Sequence, residues 1–231
     1  MNRPTKRTSS VLDYLIRAPL TEYAKGSVIY SEKCDSLYVV AFGRVKVSRV
    51  AADGRETAVR IVPPEGLFGE CSLINADAGE RAIALDLVKV MAWSRSEIEH
   101  QIDGNPQLGL ALLGELALAI SEMQDRLQAL ASRKTLERVM LSLLQLQRTL
   151  GVPQADGTMR MASLTQVVIA AHAGTTREIV NAQMSRLQRL GMVRYSRRFI
   201  DVDCEAIEQA LLKGGPTLRN FGSALTADSR G

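Results

Sequence analysis

Between Lys25 and Trp93 the apolar residues alternate with polar ones or gather in short β-branched runs, the period-two signature of strands. The runs are Ser27-Val-Ile-Tyr30, Leu37-Tyr-Val-Val-Ala41, Val45-Lys-Val-Ser-Arg-Val50, Thr57-Ala-Val-Arg-Ile-Val62 and Ala82-Ile-Ala-Leu85. Gly26, Gly43, Asp53-Gly54, Pro63-Pro64-Glu65-Gly66 and Ala78-Gly79 separate them with turn chemistry. Short strands at this spacing predict an antiparallel roll or jelly roll.

Past Asn105-Pro106 the period becomes helical and stays so to about Leu150. Leu113, Leu116, Ile120, Met123, Leu127 and Leu130 alternate steps of three and four, the a/d stripe of a coiled coil. Lys134 and Glu137 take the next two slots and end it. Such a stripe can pack on the roll or on a second helix. Glu115, Glu122, Asp125, Arg126 and Arg133 keep much of the remaining surface polar, which favours one matching partner helix and a parallel homodimer. Six apolar side chains at about 1.5–3 kcal/mol each supply on the order of 10 kcal/mol of gross burial per chain.

The break near Ser132-Arg133-Lys134 predicts a hinge into another helix, with Leu136, Met140, Leu143, Leu144 and Leu150 on its apolar face. Gly151 to Gly157 reads as a turn and Met159-Arg-Met161 as a short strand. Thr165 is placed to cap a helix that Gly174 ends, and a second short helix follows. Met192-Val-Arg-Tyr195 and Phe199-Ile-Asp-Val202 then form a hairpin around Ser196-Arg197-Arg198. Residues 214–231 read as a mobile tail, and 1–20 as partly disordered.

Composition narrows the choices. With 231 residues, 46% of them apolar, there is room for a large domain or two small ones with real cores. No apolar run reaches about 18 residues, so no membrane span is predicted. The basic N-terminus lacks the apolar segment of a signal peptide. Cys34, Cys71 and Cys204 are scattered and odd in number, which points to a reducing cytoplasm and away from a disulfide scaffold, a zinc site or an iron–sulfur cluster. Two histidines and no nucleophile–base constellation leave little from which to build an enzyme.

The formal charge of +4 says less than its distribution. Arg177, Arg186, Arg189, Arg194, Arg197 and Arg198 lie close together, opposed locally only by Glu178. Beside two helices broken at a glycine, a phosphate-facing surface is the better reading of this run than a merely solvated face. The second helix opens on Thr175-Thr176-Arg177-Glu178. Hydroxyls and free N–H groups there can hold phosphates, Arg177 can fork onto a guanine, and Glu178 can accept from a cytosine amino group.

A roll, a long dimer helix and a winged helix-turn-helix, in that order, resemble the family of the cyclic-AMP receptor protein and the fumarate–nitrate regulator over residues 24–212. Two motifs carry the likeness. One is Gly66-Leu-Phe68-Gly69-Glu70-Cys-Ser-Leu73 with Gly79-Glu80-Arg81-Ala82, which looks like the phosphate-binding cassette; the other is Gly174 to Glu178 with the arginines behind it. The fold class implied is α+β. An effector-sensing antiparallel β-roll spans 1–106, a dimerisation helix 107–133 and a DNA-binding winged helix-turn-helix 134–213.

The resemblance implies a cyclic nucleotide as effector. Gly69 would let the backbone approach, Glu70 would accept from the ribose hydroxyl, and Arg81 and the Ala82 N–H would hold the phosphate. The alternative is that Glu70 and Arg81 pair with each other across a structural turn. Where the cyclic-AMP receptor sets a Thr-Ser pair against the base, an ungapped match puts Met123 and Gln124, of which only Gln124 can bond a purine edge. Control by redox state, by abundance or by 2-oxoglutarate stays open. The segment Gly151 to Gly157 is similar to the cyanobacterial nitrogen regulator, although that regulator's dimer-helix arginine falls near Ala119 here. Cys71 as a haem ligand, with His100 or His172, is a weaker option than Cys71 as a small buried residue, and His172 reads as packed or capping.

For DNA the same match sets Arg177 and Glu178 at base-reading places and Gln166, Thr175 and Thr176 near phosphates, with Arg197 and Arg198 on the wing. Asn181 stands where the family often has a second arginine. The partners implied are double-stranded DNA with an inverted repeat, a second copy of the chain and RNA polymerase. A ligand-sensing module that meets DNA only incidentally is the competing class.

Overall fold

A computed structural model describes residues 11–50, 56–74, 79–132 and 134–213; the proposed tail and the Asp53-Gly54 turn lie outside them. The chain divides into two compact units, 1–131 and 132–231.

In the first unit eight strands form two antiparallel sheets. One runs β1 (Thr21–Tyr23), β8 (Val88–Ser94), β3 (Ser36–Phe42), β6 (Leu67–Phe68); the other β2 (Val28–Glu32), β7 (Glu80–Ala84), β4 (Val45–Val50), β5 (Glu56–Val62). All five expected runs are strands, within a few residues at their ends. β1, β6 and β8 were not singled out: two of them are three residues or shorter, and β8 carries its apolar residues on both faces.

The sheets close over Tyr30, Val40, Val45, Val47, Val62, Phe68, Ala82, Ala84, Val88 and Val90. The other face of the β3 sheet sends Leu37, Val39, Leu67 and Trp93 into a second cluster with Ile98, Leu108 and Leu112. β3 is therefore buried on both faces, which is why Leu37-Tyr-Val-Val-Ala41 lacks clean alternation. Val11 and Leu15 join this cluster, and the Trp93 indole donates to the Ile16 carbonyl at 2.8 Å, so part of the segment 1–20 is packed onto the roll.

Ile98 comes from a helix absent from the sequence expectation, α1 (Arg95–Gly104), whose Ser94 and Glu97 make a reciprocal capping box. The helix ends before Pro106, and the chain restarts as α2 (Pro106–Ser132). Only the first turns of α2 enter the core, through Leu108 and Leu112. Beyond them the stripe stands in solvent: Leu113, Ile120, Met123 and Leu127 are each between 55% and 63% exposed and Leu116 is half-buried, while the Leu130 side chain lies outside the described residues. Among the described side chains of the stripe, none joins the roll's core clusters.

The second unit holds α3 (Thr135–Leu150), α4 (Gln166–Ala173), α5 (Arg177–Arg189), α6 (Cys204–Leu212) and a sheet of order β11 (Val193–Tyr195), β12 (Phe199–Val202), β10 (Met159–Ala162), β9 (Val152–Pro153). Met140, Leu143 and Leu144 of α3 are buried as expected, with Val139 and Leu146, while Leu136 and Leu150 are only half-buried at its ends. His172 is buried with Nδ1 2.5 Å from the Ser142 hydroxyl, the packed histidine anticipated. The hairpin is fastened by Asp201, which is buried. It accepts from Arg160 Nε at 2.6 Å and Nη2 at 2.8 Å and from Arg194 at 3.4 Å, and Arg160 also lies 4.1 Å over the Phe199 ring.

The Arg160 hydrogen bonds hold the Asp201 carboxyl below its usual range. Its stabilisation is therefore complete above the ordinary aspartate pKa and is lost as pH falls toward the depressed value. Asp201→Ala is expected to lower the stability of this unit by about 1–3 kcal/mol at pH 7. In urea titrations that gap should stay constant from pH 8 to pH 6 and close on acidification below about pH 4.

Candidate functional site

Two clusters carry chemistry, one in each unit. In the second unit, Thr165 caps α4 by accepting from the Val168 N–H at 3.3 Å. The helix ends on Gly174 in the left-handed region (φ 60°, ψ 44°), which turns the chain sharply into α5. The N-cap of α5 is Thr176, which accepts from the Ile179 N–H, so the helix itself begins at Arg177, two residues later than the Thr175 start expected. Thr175 lies in the turn, its N–H bonded to the Ala170 carbonyl.

Val180, Met184 and Leu187 bury the inner face of α5, which leaves Arg177, Glu178 and Asn181 exposed on the outer side of its first turns. Bonds to its own backbone N–H and to the Thr176 hydroxyl hold Glu178 below the usual carboxylate range. A negative charge at a helix N-terminus is also favourable in itself. Gln166 Nε2 donates to Asn181 Oδ1 at 2.9 Å, tying the start of α4 to α5. Arg177, Glu178 and Asn181 are thus exposed on the same side of α5, with Gln166 beside Asn181.

Arg197 and Arg198 are exposed at the hairpin tip. The arginine run is not a uniform phosphate-facing surface, however. Arg194 donates to Asp156 and Asp201, so Glu178 is not its only local counter-charge. Asp156 sits 38 residues earlier in sequence, and its approach could not be read from local spacing.

In the first unit the cassette turns at Gly69 with φ +83°. A Cβ there would lie 2.5 Å from the Ser36 carbonyl oxygen and 2.9 Å from both Cys34 Sγ and the Tyr38 ring. Only glycine fits this approach. Glu70 follows, and Arg81 and Ala82 lie on β7, Ala82 fully buried and paired with Tyr30 and Val47. The β2–β7 register slips between Val28 and Tyr30, beside Ala82.

Glu70 and Arg81 do not pair with each other. Both Glu70 oxygens accept from Nη2 of Arg60 on β5, a residue the sequence reading did not single out. Arg81 Nε is buried without a hydrogen-bond partner among the described residues. Glu80 points inward beside Cys71 and the Tyr30 hydroxyl, at 3.7 and 3.4 Å, with Arg49 3.9 Å away. Burial, Cys34 and Glu80 push the Cys71 thiol up to about 12, which keeps it protonated at neutral pH. Gln124 is exposed on α2. Among the described residues no group of three or more His, Cys, Asp or Glu is placed to hold a metal ion, and no helix is long and apolar enough to cross a membrane.

These two clusters fall within two family descriptions that match the chain: a cyclic nucleotide-binding domain over residues 20–105 and a Crp-like helix-turn-helix domain over residues 137–210. The chain is similar to a CRP-like cAMP-activated global transcriptional regulator of Mycobacterium tuberculosis, 31% identical over 179 residues, covering 75% of this chain and 79% of that one. It is 29% identical over 174 residues to the global nitrogen regulator of a Nostoc species, covering 74% of this chain and 78% of the relative. Among solved structures, a CRP/FNR-family transcriptional regulator from Thermus thermophilus superposes with a TM-score of 0.68 at 25% identity, over 83% of this chain and 97% of that one.

The cassette turn can be tested with a matched pair. Gly69 and Gly79 both have positive φ, but nothing lies within 4 Å of a Cβ built at Gly79. Both alanine variants should lose about 1–3 kcal/mol to backbone strain, and Gly69→Ala should lose clearly more because of the Ser36 and Cys34 contacts. Equal melting temperatures for the two variants would refute the close approach.

Proposed function

The chain belongs to the Crp/Fnr family of DNA-binding transcription regulators, and on that premise we propose that it acts as a homodimer, reads an inverted-repeat operator and answers to a cyclic nucleotide held in the roll. It is a regulator with a cyclic nucleotide-binding domain and a Crp-like helix-turn-helix, not an enzyme. We assign effector sensing to residues 1–106, pairing to 107–133 and DNA reading to 134–213, and set the protein in the bacterial cytoplasm with RNA polymerase as its further partner.

The observation that carries this reading is the first turn of α5, which offers Arg177 and Glu178 to solvent on a capped helix end. Arg177 forks onto a guanine and Glu178 accepts from a cytosine amino group, giving a G·C pair in each half-site. Thr175, Thr176 and Gln166 hold phosphates, Asn181 extends the base-facing side, and Arg197 and Arg198 meet the backbone beyond. Two-fold pairing of α2 through Leu113, Leu116, Ile120, Met123, Leu127 and Leu130 brings two such tips to half-sites about one helical turn apart.

In the roll, Arg81 takes the phosphate, Gly69 and Ala82 supply backbone approach and an N–H, and Glu70 accepts from the ribose. Gln124 addresses the purine edge. Effector binding shifts the hinge near Ser132–Lys134, with a coupling of about 1–3 kcal/mol that modulates DNA affinity without an all-or-none switch.

Three measurements test this reading. Arg177→Ala should weaken operator binding by about 1–3 kcal/mol and abolish the preference for G·C at one position of each half-site; unchanged base preference refutes the assignment. Ile120→Glu with Leu127→Glu should convert a sedimenting dimer to a monomer, because four charges in a paired stripe cannot be desolvated cheaply; an intact dimer places the interface elsewhere. Calorimetric titration with cyclic AMP, cyclic GMP, cyclic di-GMP and 2-oxoglutarate should give heat with a cyclic mononucleotide, and heat from 2-oxoglutarate alone would overturn the effector assignment.

A further inference from the structure

Arg60 sits in the middle of β5, opposite Val47, and its side chain turns into the space between the sheets. Its guanidinium lies among Glu70, Glu80 and Tyr30. Burial works against its charge there, and the neighbouring Glu70 more than offsets that effect. A single Nη2 donates to both Glu70 oxygens. Glu70 enters a short helical turn, Glu70–Ile74, directly after the left-handed Gly69, so its backbone is fixed and its side-chain direction is set by Arg60.

A carboxylate offers about four lone-pair positions. One nitrogen shared between the two oxygens uses only the inner side, and each oxygen keeps acceptor capacity on its outer side. A hydroxyl arriving there meets an acceptor already oriented and already neutralised, so little reorganisation opposes its binding. Without Arg60, Glu70 would be a carboxylate near Glu80 with no cation to hold it, and its hydroxyl-accepting geometry would be lost.

We propose that Arg60 is a positioning residue that holds Glu70 as the acceptor of a ribose 2′-hydroxyl, so that the pocket selects nucleoside cyclic monophosphates over their 2′-deoxy counterparts. The proposal rests on the cyclic-nucleotide reading above and adds to it a residue that acts through Glu70. It predicts a signature that a purely structural role or a general electrostatic role does not share. Loss of Arg60 weakens ligands that carry the 2′-hydroxyl and spares those that lack it.

The test uses the full chain and whichever of cyclic AMP and cyclic GMP the wild type binds, beside the 2′-deoxy form of that nucleotide. Wild type should prefer the ribonucleotide by roughly tenfold, the worth of one charged hydrogen bond. Arg60→Gln should weaken the ribonucleotide by roughly tenfold and leave the deoxy form within about threefold, and Arg60→Lys should restore part of the preference. Glu70→Gln should show the same collapse, and combining it with Arg60→Gln should add no further loss. Melting curves establish that each variant is folded. A preserved ribose preference in Arg60→Gln, or parallel weakening of both ligands, overturns the proposal. Absence of binding by either nucleotide to wild type overturns the cyclic-nucleotide reading itself and the role of Arg60 with it.

Discussion

A charge taken out of water needs a partner, and the interior of the roll is organised by that demand. Arg60 meets Glu70, while Tyr30, Cys71 and Arg49 surround Glu80. In the roll Arg81 alone keeps a buried side-chain donor that none of the described residues satisfies. An antiparallel roll could have filled this space with the valines and alanines that line the rest of it. Instead its two sheets close around these polar groups. The tight turn at Gly69 is what lets the cassette come close enough to form that interior.

The same principle shapes the second unit differently. Asp201 is buried and gathers two arginines, which locks the hairpin onto β10 and leaves Arg197 and Arg198 at its tip. Arg194 is thereby committed to structure, whereas Arg177 remains available at the end of α5. The arginines near residues 177–198 are thus divided between holding the fold and facing outward, a division made by partners remote in sequence.

Much of the fold was legible because its signals are local. Alternation marked β2 to β5 and β7, Gly174 and Thr165 marked the two helices around the break, and the three-four spacing marked α2. Signals that depend on other elements were not. β8 has no clean alternation because Val88 and Val90 face one core and Trp93 the other. α1 is short and charged, with Ile98 as its one buried residue, so no period shows. In the candidate site, Gly69, Glu70 and Arg81 were recognisable from their motif, but the partner of Glu70 was not. Arg60 sits in an alternating strand pattern where a polar residue looks outward, and only the register against Val47 reveals that it faces in.

On the proposed reading, the exposed stripe on α2 is where two copies of the chain pair. The most direct measurement is a footprint of the purified protein on promoter fragments, with and without a cyclic mononucleotide. The account predicts two protected half-sites about one helical turn apart, strengthened roughly 5- to 150-fold by the nucleotide. A single protected half-site, or protection that no cyclic nucleotide alters, would contradict it.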